Sequence, residues 1–145
     1  MEVTIALRLP RDAASVSVTR QILGAELDVL GVERQIRDDI QLMLTEACSN
    51  VIRHATETDE YTVSAELIGE RCVITVVDTG NGFDPEAIAD KNGSMLTEHG
   101  RGLQIMRALA DDCRFFTRPR QGAVVCLEKA LRFTNGAAGQ MLSSH

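Results

Sequence analysis

The chain has 145 residues, of which 44% are hydrophobic and 25% charged, a balance that suits one globular domain with its own core and excludes a disordered segment or a coiled coil. Its 15 basic and 21 acidic side chains leave a net charge of −6, which argues against direct binding to nucleic acid, because phosphate contacts need clustered Lys and Arg. Residues 3–9 alternate Val3, Ile5, Leu7 and Leu9 against Thr4, Ala6 and Arg8, the pattern of a half-buried strand that Pro10 ends. Asp12 is placed to cap a helix running to Leu30, with Gly31 closing it. A second helix is predicted from Glu33 to His54, with Ile36, Ile40, Met43, Leu44, Ala47, Cys48 and Val51 as its core-facing stripe. The period then changes to two. Tyr61, Val63, Ala65 and Leu67 alternate, Gly69-Glu70 turns the chain, and Cys72–Val77 returns as an apolar strand. The segment DTGNGFDP (78–85) breaks regular structure. A short helix is predicted at 86–91, a mobile loop at 91–100, and a helix from Gly102 to Ala110. Strands at Cys113–Thr117 and Ala123–Lys129 flank an R-P-R-Q-G turn.

Helices grouped beside antiparallel strands give the expected fold: a two-layer α/β sandwich, with a mixed, mainly antiparallel sheet and its helices on one face. A single domain is expected over 1–131, followed by a flexible tail at 132–145 of small and polar residues. The start, MEVTIALRLPRDAAS, has no basic opening and no long apolar stretch, and no run approaches the roughly 20 residues of a membrane helix. A cytoplasmic location without membrane attachment is therefore expected. Cys48, Cys72, Cys113 and Cys126 form no C-x-x-C pair and each lies in an apolar segment. They are expected to be reduced thiols packed as small hydrophobes.

Three clusters carry possible chemistry. Glu46, Asn50 and Arg53 share an arc of roughly 60° beside the stripe of the second helix. A carboxylate can serve as a general base, an amide oxygen can bind a hard cation, and a guanidinium can pair with phosphate. The same spacing also fits a solvated helix face, and His54 falls in the apolar stripe, where a core histidine fits. Asp78-Thr79-Gly80-Asn81-Gly82 follows an apolar strand. A buried Asp78 needs a donor, and a purine amine would serve, while Gly80 and Gly82 would let backbone approach a flat ring. An ordinary turn fits that segment too. Gly100-Arg101-Gly102 opens a helix after a loose loop, where bare amides can bind an anion. A flexible loop ending at a helix start is the plainer reading. The chain has no G-x-x-x-x-G-K-[ST] and no H-R-D, which removes the P-loop and eukaryotic kinase readings.

Taken together, the order and spacing of E-A-C-S-N-x-x-R-H, D-T-G-N-G-F and H-G-R-G-L-Q-I-M resemble the N, G1 and G2 boxes of the histidine-kinase-like (GHKL) ATPases. The short length and the short lid are similar to the anti-sigma factor serine-protein kinases of the RsbW type. The resemblance covers about Glu2 to Glu128 and leaves no room for the phosphoacceptor hairpin of a sensor histidine kinase.

The resemblance implies ATP and Mg²⁺ as cofactors and gives each motif residue a role. Glu46 matches the residue that assists an attacking serine hydroxyl, and Asn50 the Mg²⁺ ligand. Asp78 matches the adenine reader, with Gly80 and Gly82 flanking the ring. Gly100, Arg101 and Gly102 match the lid around the phosphates, and Arg53 and His54 complete the nucleotide-binding N box. It further implies a homodimer that sequesters a sigma factor of RNA polymerase and phosphorylates Ser or Thr of a STAS-type antagonist, with Arg20 a partner contact. One position departs from the pattern. The family usually carries Gly-Thr in the late strand, the Thr supporting the adenine-binding Asp, whereas Ala123 follows Gly122 here. That departure keeps open an alternative: a non-catalytic anti-sigma binding module that holds nucleotide weakly or not at all.

Overall fold

The computed structural model describes residues 2–54, 60–78, 100–118 and 122–134. The expected helix at 86–91 and the loop at 91–100 lie outside these residues, apart from Gly100. The elements in order are β1 (Glu2–Pro10), α1 (Ala13–Leu30), α2 (Arg34–His54), β2 (Glu60–Ile68), β3 (Arg71–Asp78), α3 (Gly100–Leu109), β4 (Asp112–Arg118) and β5 (Gly122–Ala130). The strands form one sheet in the order β1-β2-β3-β5-β4, and every pairing among the described residues is antiparallel.

The period-two pattern of the sequence sets which face is covered. Tyr61, Val63, Ala65 and Leu67 of β2 are buried with Cys72, Ile74 and Val76 of β3, while the alternate residues are only half-buried. Against the buried face lie Leu23, Leu27 and Leu30 of α1, the stripe Ile36 to Val51 of α2, and Leu103 and Met106 of α3. This is the two-layer α/β sandwich, with the helices packed into one core with the sheet. Cys48 and Cys72 are free thiols inside that core. Burial pushes both up to about 12, so they are neutral near pH 7. Among the described residues no helix is long and apolar enough to cross a membrane.

The helix ends follow local chemistry. The Asp12 side chain accepts from the Ala14 amide at 3.0 Å and starts α1. Gly31 closes it at φ 76°, where its N–H donates to the Asp28 carbonyl and the Val32 N–H to the Leu27 carbonyl. That pair of bonds is a Schellman closure, and buried Val32 seals it against the core. Gly69, at φ 58°, turns β2 into β3 in the register Ile68↔Arg71. α3 begins at Gly100, ahead of the expected Gly102.

The chain stays packed past the boundary expected at residue 131. The Glu33 amide donates to the Arg132 carbonyl at 2.7 Å, Val32 bridges Phe133, and the Thr134 amide donates to the Gly31 carbonyl at 2.8 Å. Apolar Phe133 explains the difference, because it packs on the core beside the α1–α2 turn. Residues 135–145 lie outside the described set.

Gly31→Ala is expected to lower stability by about 1 kcal/mol, because a Cβ is strained in the left-handed region. Urea denaturation measures it. An unchanged midpoint would mean that the closure does not hold α1.

Candidate active site

The described part of the site is built by α2, the end of β3 and the start of α3. Asn50 is 8% exposed and stands one turn beyond half-buried Glu46, at the margin of the α2 stripe. Cys48 of α2 and Tyr61 of β2 are both fully buried in the core between helix and sheet. Tyr61 lies directly opposite Asp78 in the β2–β3 ladder. α2 packs on β3, the strand that ends at Asp78.

The α3 end of the site is defined by Gly102. A Cβ placed there would stand 2.7 Å from Glu46 Oε2. Only a glycine admits the Glu46 carboxylate so close to the first turn of α3. The opening amides of a helix have no intrahelical acceptor, so this turn presents donors beside a carboxylate. The far end of α3 is clamped. Lys129 Nζ donates to the Leu109 carbonyl at 2.5 Å and pairs with Asp39 of α2 at 3.4 Å. Met106 is fully buried, so the packed half of α3 holds its glycine end against α2.

Asp78 has no exposed surface. Its Oδ1 accepts from the Arg11 guanidinium at 2.9 Å, with the Arg11 side chain only 11% exposed. Sequence reasoning asked for a donor to Asp78 and missed this one, which comes from 67 positions away. The requirement that a buried carboxylate be paired was the signal; the identity of the partner was not. Also missed was the polar pair Ser15 Oγ and Tyr61 OH, 2.5 Å apart in the core. Burial raises the Tyr61 phenol to about 12, so it stays protonated and serves as a hydrogen-bonding group.

The other sequence candidates divide clearly. Gly100 and Gly102 lie in the first turn of α3, the helix start expected of an anion site. The backbones of Arg53 and His54 belong to the last turn of α2, and that of Arg101 to α3, but their side chains lie outside the described set. Gly80 and Gly82 also lie outside it. Arg20 is exposed on α1 and lines a polar groove with Ser17, Gln21 and Gln41. Gln41 Nε2 donates to the Arg20 carbonyl and ties α2 to α1 there. The β3–β5 ladder runs to Val77↔Val124, the residues next to Asp78 and Ala123 in the chain, and alanine has no side-chain hydroxyl.

The described residues thus hold a buried carboxylate at the end of β3 and a second carboxylate, Glu46, against a helix start that bears glycines. The chain belongs to the histidine kinase-like ATPase domain family, whose profile matches residues 9–129. It is similar to the serine-protein kinase RsbW of Bacillus mycoides (strain KBAB4), 28% identical over 118 residues, covering 74% of each chain. It is 29% identical, over the same shares, to the RsbW of Bacillus cereus (strain ATCC 10987 / NRS 248). Among solved structures, the RsbU and RsbW domains of Rv1364c from Mycobacterium tuberculosis share its fold at a TM-score of 0.69 and 20% identity. That match covers 92% of this chain and 35% of the other. A chain in the SiaB–SiaC complex from Pseudomonas aeruginosa matches at a TM-score of 0.64 and 12% identity, over 88% of each.

Gly102→Ala is expected to leave stability within about 1 kcal/mol of the native protein. Alanine favours a helix by about that amount over glycine, and the crowded atom is the free end of a side chain. The Glu46 carboxylate must then swing away, which carbon-detected NMR of the side-chain carboxyl would register. An unmoved Glu46 signal would contradict the close approach.

Proposed function

We propose that this chain is an anti-sigma factor of the partner-switching kind, which binds Mg-ATP and phosphorylates a Ser or Thr of an antagonist protein. The observation that carries the reading is the approach of Gly102 to Glu46. It joins two motifs that are distant in sequence, with Asn50 one turn away on the same helix. The similarity to proteins named as serine-protein kinases supports the same reading.

The residues present fit the ligands. The space that a Cβ on Gly102 would fill lies between a carboxylate and a helix start. Asn50 offers a neutral oxygen, suited to a hard cation that keeps most of its ligands from phosphate and water. Mg-ATP supplies the phosphoryl group and neutralises its charge. Asp78 accepts a hydrogen bond from the amine of adenine, and the α3 amides at Gly100 and Gly102 meet phosphate oxygens. Glu46 takes the proton of the antagonist's hydroxyl as its oxygen bonds to the γ-phosphorus and the bond to the β-phosphate oxygen breaks, releasing ADP.

In this scheme the sigma factor and the antagonist compete for one protein, so switching depends on a difference of affinities. Arg20 and its polar groove are a partner contact in the proposal. A homodimer belongs to it as well. Val18, Ile22 and Val29, 46%, 40% and 73% exposed, fall within an arc of roughly 40° on α1 and give that helix an uncovered apolar stripe. Sedimentation equilibrium tests it: one-copy mass at micromolar concentration would remove the dimer. The proposed place of action is the cytoplasm.

Ala123 favours a second reading, a binding module without catalysis. Glu46→Gln separates the two. It keeps size and hydrogen bonding and is expected to preserve ATP and sigma-factor binding. Labelled phosphate transfer to the antagonist should fall by about 10²-fold or more. Transfer within a few-fold of wild type would remove Glu46 as the base. No transfer by the wild-type chain, with ATP bound, would establish the module instead.

A further inference from the structure

Arg11 belongs to no strand or helix. It occupies the bend between β1 and α1, yet its side chain is nearly enclosed and reaches the wholly buried Asp78. The bend itself is fixed on both sides. Before Arg11, Pro10 pairs with Glu60 at the end of the β1–β2 ladder. After it, Asp12 caps α1 and its amide donates to the Pro10 carbonyl at 2.8 Å. One turn into α1, Ser15 meets Tyr61, the residue opposite Asp78. The guanidinium is therefore delivered to Asp78 from backbone held at three points.

An ion pair so enclosed has lost its water, and removing one partner leaves the other charge uncompensated. Arg also differs from a point charge. Its planar fork fixes the orientation of a carboxylate as well as its ionisation. A carboxylate has about four lone-pair sites, so it can accept from an Arg and from a further donor at once.

We propose that Arg11 is a positioning residue for base recognition. It holds the Asp78 carboxyl turned so that lone pairs face the exocyclic amine of a purine. This rests on the reading of Asp78 as the adenine acceptor. An acceptor fixed in this way favours an amine at the purine 6-position and opposes a carbonyl oxygen there, because two acceptors would face each other without a proton between them. Arg11 thus sets selectivity for adenine over hypoxanthine and guanine without touching the base.

The test is calorimetric titration of the full chain with Mg-ATP and with the Mg complex of purine riboside triphosphate, which lacks the amine. Asp78→Asn should weaken ATP and bring its affinity close to that of the analogue. Arg11→Ala should weaken ATP about tenfold or more and the analogue much less, so that the ratio of the two affinities falls. Arg11→Lys should give an intermediate ratio, and it carries the test if Arg11→Ala does not fold. Three results would overturn the inference: equal losses for both ligands, which would make Arg11 a scaffold only; ATP binding unchanged or tighter in Arg11→Ala, which would make it a bystander or a competitor for the site; or a wild-type ratio in Arg11→Lys. If Asp78→Asn binds ATP as tightly as wild type, the adenine reading itself fails and this inference fails with it. If Asp78→Asn is weakened and Arg11→Ala is not, only the role of Arg11 is lost.

Discussion

A carboxyl side chain with no exposed surface stands at the end of β3, and the surrounding architecture has to supply it with a partner. Asp78 meets that constraint through Arg11. Removing one partner of such a pair costs about 3–5 kcal/mol, so the bend between β1 and α1 is tied to the end of β3. The sheet edge and the first helix are thereby fixed around one charge. Tyr61 is held by the Ser15 hydroxyl, which joins α1 to the same end of the sheet. The candidate site is built at this corner of the described fold.

From that corner α2 relays position to α3. Its apolar stripe packs on the sheet, and the margin of that stripe carries Glu46 and Asn50. Glycine at position 102 lets α3 approach until its first turn meets Glu46. At the opposite end Lys129 holds the last carbonyl of α3 and a carboxylate of α2 together. One end of α3 is thus anchored by charge and packing, and the other faces the site through a residue without a side chain. Such an arrangement puts backbone donors next to the Glu46 carboxylate, the placement that the proposed phosphoryl transfer asks of a protein.

Much of this was legible in the chain because it depends on local chemistry. The alternation of Tyr61, Val63, Ala65 and Leu67 states which face of β2 is buried. The spacing from Ile36 to Val51 states which face of α2 meets the sheet. Asp12 and Gly31 mark both ends of α1, since a cap needs a side-chain acceptor and a closure needs a positive φ. Three motifs in the right order pointed to the family that the profile match shows. What escaped depends on the folded geometry. Nothing local says that Arg11, beside a proline at a strand end, will reach Asp78. Nothing local says that Phe133 will pack on the core and hold Arg132 to Thr134 against the α1–α2 turn. The helix start at Gly100 was placed late, because glycine reads as a breaker and the contact between α3 and α2 outweighs its poor propensity.

The central claim is that α2, β3 and α3 form one nucleotide site with Asn50 as the protein's contact to Mg²⁺. Calorimetric titration of ATP into the wild-type chain and Asn50→Ala, each with and without Mg²⁺, tests it most directly. The account predicts saturable one-to-one binding by the wild type that is strengthened by Mg²⁺. It predicts that Asn50→Ala, still folded by circular dichroism, loses that strengthening. Binding by the wild type that ignores Mg²⁺, or a Mg²⁺ effect of full size in Asn50→Ala, would contradict it.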